Sequence, residues 1–316
     1  VTQRAPADVV IEVLPNDDAS LDEYVRALLE LDDRIHEATI DDARRWDETV
    51  SGQHRLAARV DGAIVAMATI SRTPHDDSTR KLLTWLVVAP EHRQRGIGSL
   101  LFTRLRDWAT RTLPAPELTV AIPEDDGAAL AWWQRRGLQI EDRYVVTQLD
   151  IPSVPPVIGD SDGIDVMSLA ERPELARAAH ETYSIAFADM PGTMKPSPWD
   201  EWIEMINSGR RDPGSVLLAI EADAVVGICT TQHAKSSSFA RTGFTGVLPA
   251  ARGRGIATLL KTHQIIWCRR VGVTTLETVN HDDNSAMQLV NERAGFQHRP
   301  AQLVLVGEPT DPPPRA

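Results

Sequence analysis

Trp85 to Leu101 reads WLVVAPEHRQRGIGSLL, and Phe244 to Leu260 reads FTGVLPAARGRGIATLL. Val88 and Val247, Pro90 and Pro249, Arg93 and Arg252, Gly96 and Gly255, and Gly98 and Ala257 are each 159 residues apart. In both stretches an apolar strand-like run passes through a basic turn into a helix opened by glycine. A repeat that keeps all three parts in register implies one domain present twice. It also implies two sites for an anionic ligand.

The turn has a physical purpose. The first turn of a helix leaves backbone N–H groups unpaired and carries about half a positive charge, which attracts phosphate. Gly96 and Gly98, like Gly255 and Ala257, remove the bulk that would keep an anion from the backbone. Arg93, Arg95, Arg252 and Arg254 add charge and paired donors, and Ser99 and Thr258 add hydroxyls. The ligand therefore carries a diphosphate. A Walker loop is excluded because no Gly-Lys-Ser/Thr ending follows. The dinucleotide fingerprint fails because its third glycine is replaced by Leu101 and Leu260.

Around these turns the chain divides at Asp150 to Gly163, DIPSVPPVIGDSDG, a proline-rich stretch without periodicity that reads as a linker. The expected domains are residues 1–149 and 164–307, with a disordered tail over 308–316. The first domain reads as strand Val9–Leu14, helices Leu21–Ile35 and Asp41–Val50, and strands Arg55–Val60 and Ala63–Ile70 joined by an Asp61-Gly62 hairpin. Strand Leu82–Val88, helix Gly96–Thr112, strand Glu117–Ile122, helix Asp126–Arg136 and strand Tyr144–Leu149 follow. The second domain repeats the order. It has strand Ile164–Met167, helices Pro173–Phe187 and Trp199–Asn207, and strands Val216–Glu221, Ala224–Thr231 and Phe239–Val247. Helix Arg254–Val271, strand Val273–Val279, helix Asn284–Arg293 and strand Leu303–Val306 complete it. Each domain is mixed α/β, with helices packed on a central sheet.

Composition narrows the partners. Hydrophobic content of 42% and charged content of 25% are globular values. A net charge of −12 argues against sequence-independent nucleic-acid binding, which needs a basic surface. Two cysteines, Cys229 and Cys268, make neither a disulfide framework nor a zinc site, so no metal is expected. No apolar run approaches a membrane span, and a cytoplasmic location is the expectation. Four lysines against many arginines suggest a bacterial source.

With those residues in place, Val88-Ala89-Pro90 with Arg93, Gly96, Ile97 and Gly98, and Val247-Leu248-Pro249 with Arg252, Gly255, Ile256 and Ala257, resemble the coenzyme A motif of the GNAT N-acetyltransferases. Ala294 to Phe296 extends the resemblance, and Arg136 to Leu138 echoes it. The tandem layout is similar to that of mycothiol synthases and other paired-GNAT proteins. The resemblance implies two acyl-CoA N-acyltransferase folds and acetyl-CoA as the cofactor. It implies direct transfer of acetyl to a primary amine of a small molecule, by a protein for which a homodimer is open. The backbone of Leu86, Val87 and Val88, and of Thr245, Gly246 and Val247, would run beside the pantetheine arm. An N–H near Val88 or Val247 would polarise the thioester carbonyl. Gln94 to Ser99, and Arg252, Gly253, Arg254, Gly255, Ile256, Ala257 and Thr258, would hold the diphosphate. The rival class is a non-catalytic acyl-CoA-binding or regulatory protein.

The sequence departs from the family where many members carry a tyrosine, four residues before the glycine of the last motif. Those positions hold Trp133 and Asn291, and neither is a useful acid. The second half is expected to be catalytic. It keeps Asn280 and Asn284 as amides for pantetheine or substrate, where the first half has Ile122 and the acid Asp126. His233, after a strand, suits a base, although a lone histidine is more often a surface or hydrogen-bonded residue. Glu277 can act through water or simply face solvent. The loop AFADMPGTMKPSPWDEW, Ala186 to Trp202, suits a substrate wall, with Trp199 in it and Asp189 or Glu201 receiving a cationic amine. Its plainer reading is a proline-rich helix connection. His36, Glu37 and Asp41 occupy the matching region of the first half. Trp132, Trp133 and Trp267 read as core, and both cysteines as packed small groups.

Overall fold

Alternating apolar strands and amphipathic helices condense into two compact units, Val1–Asp142 with Gln302–Ala316, and Arg143–Ala301. The computed structural model describes residues 8–32, 35, 38–50, 52–72, 80–153, 163–190, 195–207, 211–233 and 238–311. His36, Glu37, most of the linker and part of the loop between Ala186 and Trp202 lie outside them.

The chain runs through β1 (Val10–Val13), α1 (Asp18–Leu31), α2 (Ile40–Thr49), β2 (His54–Val60), β3 (Ala63–Arg72), β4 (Lys81–Val88), α3 (Ile97–Thr112), β5 (Glu117–Pro123), α4 (Gly127–Gln134) and β6 (Gln139–Asp150). It continues as β7 (Asp165–Ser168), α5 (Ala176–Ala188), α6 (Trp199–Asn207), β8 (Val216–Glu221), β9 (Ala224–Gln232), β10 (Phe239–Val247), α7 (Ile256–Arg270), β11 (Thr275–His281), α8 (Ser285–Arg293) and β12 (Gln297–Gly307). Most expected elements appear at the expected places. The first helix stops at Leu31, short of Ile35, because Asp32 turns inward and its carboxylate accepts the Trp85 indole N–H at 3.0 Å.

In the first unit β1, β2, β3 and β4 are successive antiparallel neighbours, and β5 lies parallel to β4. Alternation splits the core in two. Ala66, Ala68, Ile70 and Leu82 face Leu101, Phe102 and Leu105 of α3, while Met67 and Val87 face Ala27 and Leu28 of α1. The second unit repeats this, with Leu218, Ile228 and Phe244 against α5 and α6, and Leu217, Cys229 and Val247 against α7.

The closing strands are exchanged relative to sequence order. β5 pairs antiparallel with β12 over Gln302–Gly307, which puts the fully buried Leu305 into the core of the first unit. β6 pairs with β11 over Tyr144–Asp150 and gives Leu149 to the second. The tail continues this attachment: Glu308 accepts from Arg80 at 2.9 Å, Thr310 N–H donates to Arg136 O at 2.9 Å, and Asp311 pairs with Arg106. Those residues are held, whereas the sequence suggested a disordered tail from Glu308 onward; 312–316 lie outside the described residues. Gly137 is required here, since a Cβ on it would lie 2.4 Å from Glu308 O.

Leu305→Ala is expected to cost ~2–5 kcal/mol. The accompanying loss of amide hydrogen-exchange protection should fall in β5 and its neighbours, leaving β8 to β11 protected.

Candidate active site

The parallel strand pair at the middle of each unit opens after a short contact. β4 pairs β5 only over Lys81–Leu83 with Glu117–Thr119, and β10 pairs β11 only over Phe239–Arg241 with Thr275–Glu277. Beyond those residues the strands part. β10 also carries a bulge against β9 between Thr242 and Phe244, at Gly243. A Cβ there would lie 2.8 Å from Thr230 Oγ1, which accounts for the glycine. β4 has a continuous register with β3, and Thr84 occupies the matching position.

At the open end each strand enters its turn. A short helical turn, Pro90–His92 or Pro249–Ala251, precedes a glycine in the left-handed region: Gly96 at φ 86° and Gly255 at φ 78°. These glycines cap α3 and α7 without any side-chain bond. Helical bonding starts with Leu100 N–H to Gly96 O at 3.1 Å and Leu259 N–H to Gly255 O at 3.0 Å. The earlier N–H groups are thus free of intrahelical acceptors, at the positive ends of helices of 16 and 15 residues.

The arginines of the motif have a task that sequence reasoning missed. Arg93 Nε donates to Val88 O at 3.0 Å, and Arg252 Nε to Val247 O at 3.1 Å, tying each turn to its strand end. The signal was the fixed five-residue spacing from valine to arginine in both copies. Arg252 also donates to Asp189 Oδ2 at 2.8 Å, and Arg254 grips Glu221 at 2.6 and 3.0 Å. Asp189 therefore stands at the turn as a partner of Arg252, away from the role of a free amine receptor. Trp199 packs with His180 at 5.5 Å under the Arg177 guanidinium at 4.4 Å, and Glu201 is on the exposed side of α6.

The space beside the two helix starts differs. In the first unit a Cβ on Gly98 would meet Trp132, Val88 and Leu86 at 3.5, 3.6 and 3.8 Å. The Arg136 guanidinium lies 3.4 Å from the Trp132 ring centroid and donates to Ser99 Oγ at 2.8 Å. Arg136 is buried, and desolvation, with Arg135 adding repulsion, pulls its pKa down to about 10. At the matching positions of the second repeat stand Val290 and Ala294, with neither indole nor guanidinium.

Asn284 and Asp126, which the sequence contrasted, do the same work as helix caps: Asn284 accepts from Met287 N–H at 3.2 Å and Asp126 from Ala129 N–H at 2.9 Å. Asn280 and Asn291 come together, with Asn291 Nδ2 donating to Asn280 Oδ1 at 2.7 Å. Asn291 is 1% exposed, and its Oδ1 has no partner among the described residues. Glu277 is buried at the vertex where β10 and β11 separate. Arg241 donates to its Oε1 at 2.8 and 2.5 Å, and Gln148 to its Oε2 at 3.0 Å. His233 lies past the paired end of these strands and packs edge-on against Trp267 at 5.7 Å, away from the opening.

Beneath the bulge lies a group sequence reasoning passed over. Lys261 of α7 is fully buried, donates to Thr242 Oγ1 at 3.0 Å, and sits 5.3 Å from the Phe296 ring. Desolvation pulls its pKa down, against smaller opposing pulls from Cys229 and Cys268. Burial pushes both thiols up, Cys268 to about 12.

Residues 21–138 and 178–296 each match the sequence pattern of the acetyltransferase (GNAT) family. The chain is 26% identical to a mycothiol acetyltransferase of Geodermatophilus obscurus over 259 residues, 78% of this chain and 79% of that one. Among solved structures, a GCN5-related N-acetyltransferase from Sphaerobacter thermophilus superposes with a TM-score of 0.76 at 22% identity, covering 98% of both chains. A tandem GNAT protein from the clavulanic acid biosynthesis pathway gives 0.74 at 18% identity, over 96% of this chain and 100% of that one. The chain belongs to the GNAT family, with two copies of its domain, and is an acetyl-CoA-dependent N-acetyltransferase. Among the described residues no helix is long and apolar enough to cross a membrane.

Two outcomes test this geometry. Ellman's reagent should find both thiols unreactive until the chain unfolds. Lys261 holds its proton less tightly folded than unfolded, so wild-type stability should rise with pH from the lowered folded pKa to the ordinary lysine range. Lys261→Met should flatten that rise and add ~1–3 kcal/mol at neutral pH, read by urea unfolding.

Proposed function

We propose that the second unit carries turnover, moving an acetyl group from acetyl-CoA to the primary amine of a small molecule. The observation that supports it most is the contrast beside the helix starts. Trp132 and Arg136 close over Gly98 and Ser99, whereas the second repeat has Val290 and Ala294 in place of Trp132 and Arg136. Those smaller side chains leave room for a pantetheine arm that an indole and a guanidinium would take up.

When bound, acetyl-CoA supplies the activated acetyl group. The first-turn N–H groups of α7, with Arg252 to Thr258 around them, hold its diphosphate. Past Arg241 the edge of β10 that faces β11 has no ladder partner among the described residues, which leaves the N–H groups of Thr245 and Val247 to polarise a carbonyl laid along it. Asn291, where many family members carry a tyrosine, is buried and donates to Asn280 Oδ1. An asparagine gives up no proton, so the departing thiolate takes its proton from solvent. Glu277, held by Arg241 and Gln148, receives the proton of the attacking amine directly or through water. His233 is not needed, since it sits beyond the vertex on Trp267.

Gly255→Val places a side chain in the anion site and strains a left-handed residue. It should lower kcat/KM by about 100-fold or more, while Gly96→Val stays within about threefold. The assay is CoA release against aminoglycosides, polyamines and amino-sugar thiols. The reverse pattern would move turnover to the first unit. Calorimetric uptake of CoA without turnover across the panel would favour a binding protein. Glu277→Gln should lower kcat about 10- to 100-fold with KM for acetyl-CoA unchanged.

A further inference from the structure

Between the parallel pair and the turn, the second unit carries one residue more than the first. The parallel pairs begin at Lys81 and Phe239, 158 residues apart, whereas Val88 and Val247 at the turns are 159 apart. The extra residue is Gly243, since Thr242 lies opposite Thr231 and Phe244 opposite Thr230. Backbone groups alternate along a strand, so this bulge decides which of them face the opening. Leu248 N–H bonds to Val226 O at 2.9 Å, which turns the N–H groups of Phe244 and Gly246 to β9 and those of Thr245 and Val247 away from it. One residue of slip would exchange the two sets.

A chain of polar side chains holds the strands at this step. Lys261 and Gln264, three residues apart on the inner face of α7, are both fully buried. Lys261 donates to Thr242 Oγ1 at 3.0 Å, Thr242 to Gln264 Oε1 at 3.3 Å, and Gln264 Nε2 to Thr231 Oγ1 at 2.8 Å. These bonds end on Thr242 and Thr231, the residue pair just before the bulge.

The first unit shows that the fold itself does not need them. Ile70 stands opposite Thr84 as Thr231 stands opposite Thr242, and Phe102 and Leu105 precede Lys261 and Gln264 by the same 159 residues. Ile70, Phe102 and Leu105 belong to the apolar core, and β4 keeps its register against β3 without a bulge. Hydrocarbon therefore suffices at these positions. A buried amine whose hydrogen-bond acceptor among the described residues is one threonine hydroxyl costs stability, and it is kept in the copy that has the bulge.

We propose that Lys261 is a positioning residue for acetyl transfer: through Thr242 it fixes the bulge of β10 and so aims the N–H groups of Thr245 and Val247 at the acyl carbonyl. It acts from within the core, by way of the strand. This role rests on the second unit carrying turnover.

Steady-state kinetics and amide hydrogen exchange on the full chain test it. Lys261→Met keeps the length of the side chain and removes the donor. It should lower kcat about tenfold with KM for acetyl-CoA unchanged, and speed exchange at the Phe244 and Gly246 amides about tenfold while the urea midpoint rises. A merely structural lysine would move local exchange and global stability in the same direction. Thr242→Val should reproduce the loss of kcat, and Thr242→Ser, which restores the hydroxyl, should recover most of it. The double variant Lys261→Met with Thr242→Val should fall no further than either single change. The two threonine variants keep the test decisive if Lys261→Met does not fold. Wild-type kcat and exchange in folded Lys261→Met, no recovery in Thr242→Ser, or losses that multiply in the double variant would overturn the assignment. Turnover that survives Gly255→Val would overturn the choice of unit and this role with it. Turnover lost in Gly255→Val but intact in Lys261→Met would overturn the role alone.

Discussion

A parallel pair of strands that holds together for three residues and then separates is the constraint from which each unit's chemistry follows. Separation leaves backbone groups along one strand edge without a ladder partner, and such groups must be satisfied by something. The diverging strand then enters a turn whose glycine brings no cap, so the helix beyond it starts with open donors as well. Strand edge and helix start together form a row of open backbone groups, alternating donors and acceptors on the strand and donors alone at the helix. The arginine that ties the turn to the strand's last carbonyl keeps that row aligned.

The two copies share this frame and have diverged in what surrounds it. In the first, Trp132 and Arg136 settle onto the start of α3, and a buried guanidinium takes up space and hydrogen bonds there. In the second, small side chains stand at those positions, β10 has its bulge, and a carboxylate is fixed at the vertex between Arg241 and Gln148. The opposite sheet faces diverge in the other direction. Aromatic packing fills that of the second unit, while a tryptophan pulled aside by Asp32 leaves a cavity in the first. The two copies thus differ in the packing on both sides of their sheets.

The sequence carried most of this frame. Strand periodicity, the Asp61-Gly62 hairpin, the glycine-opened helices and the doubled turn were legible because each depends on residues close together in the chain. What escaped it depends on contacts between residues far apart. Nothing near Leu305 says that it completes the core of the first unit, because strand pairing at long range leaves no local signature. Asn284 looked like a ligand amide, yet its position one residue before a helix is equally the signature of a cap, and the cap is what it makes. Asp189 looked like a receptor for an amine until the fold placed it against Arg252. Lys261 went unremarked because a lysine on a helix ordinarily faces water.

The exchange of closing strands has a bearing on how the chain is made. β5 leaves the ribosome long before its neighbour β12, and synthesis proceeds at about 5–20 residues per second. The first half must therefore wait on the order of ten seconds or more with an unfinished sheet edge and no leucine from β12 to cover its core. An exposed strand edge invites pairing with other chains. Nascent copies on one message are thus the partners most able to capture it, so the spacing of ribosomes bears on the yield of correctly assembled protein.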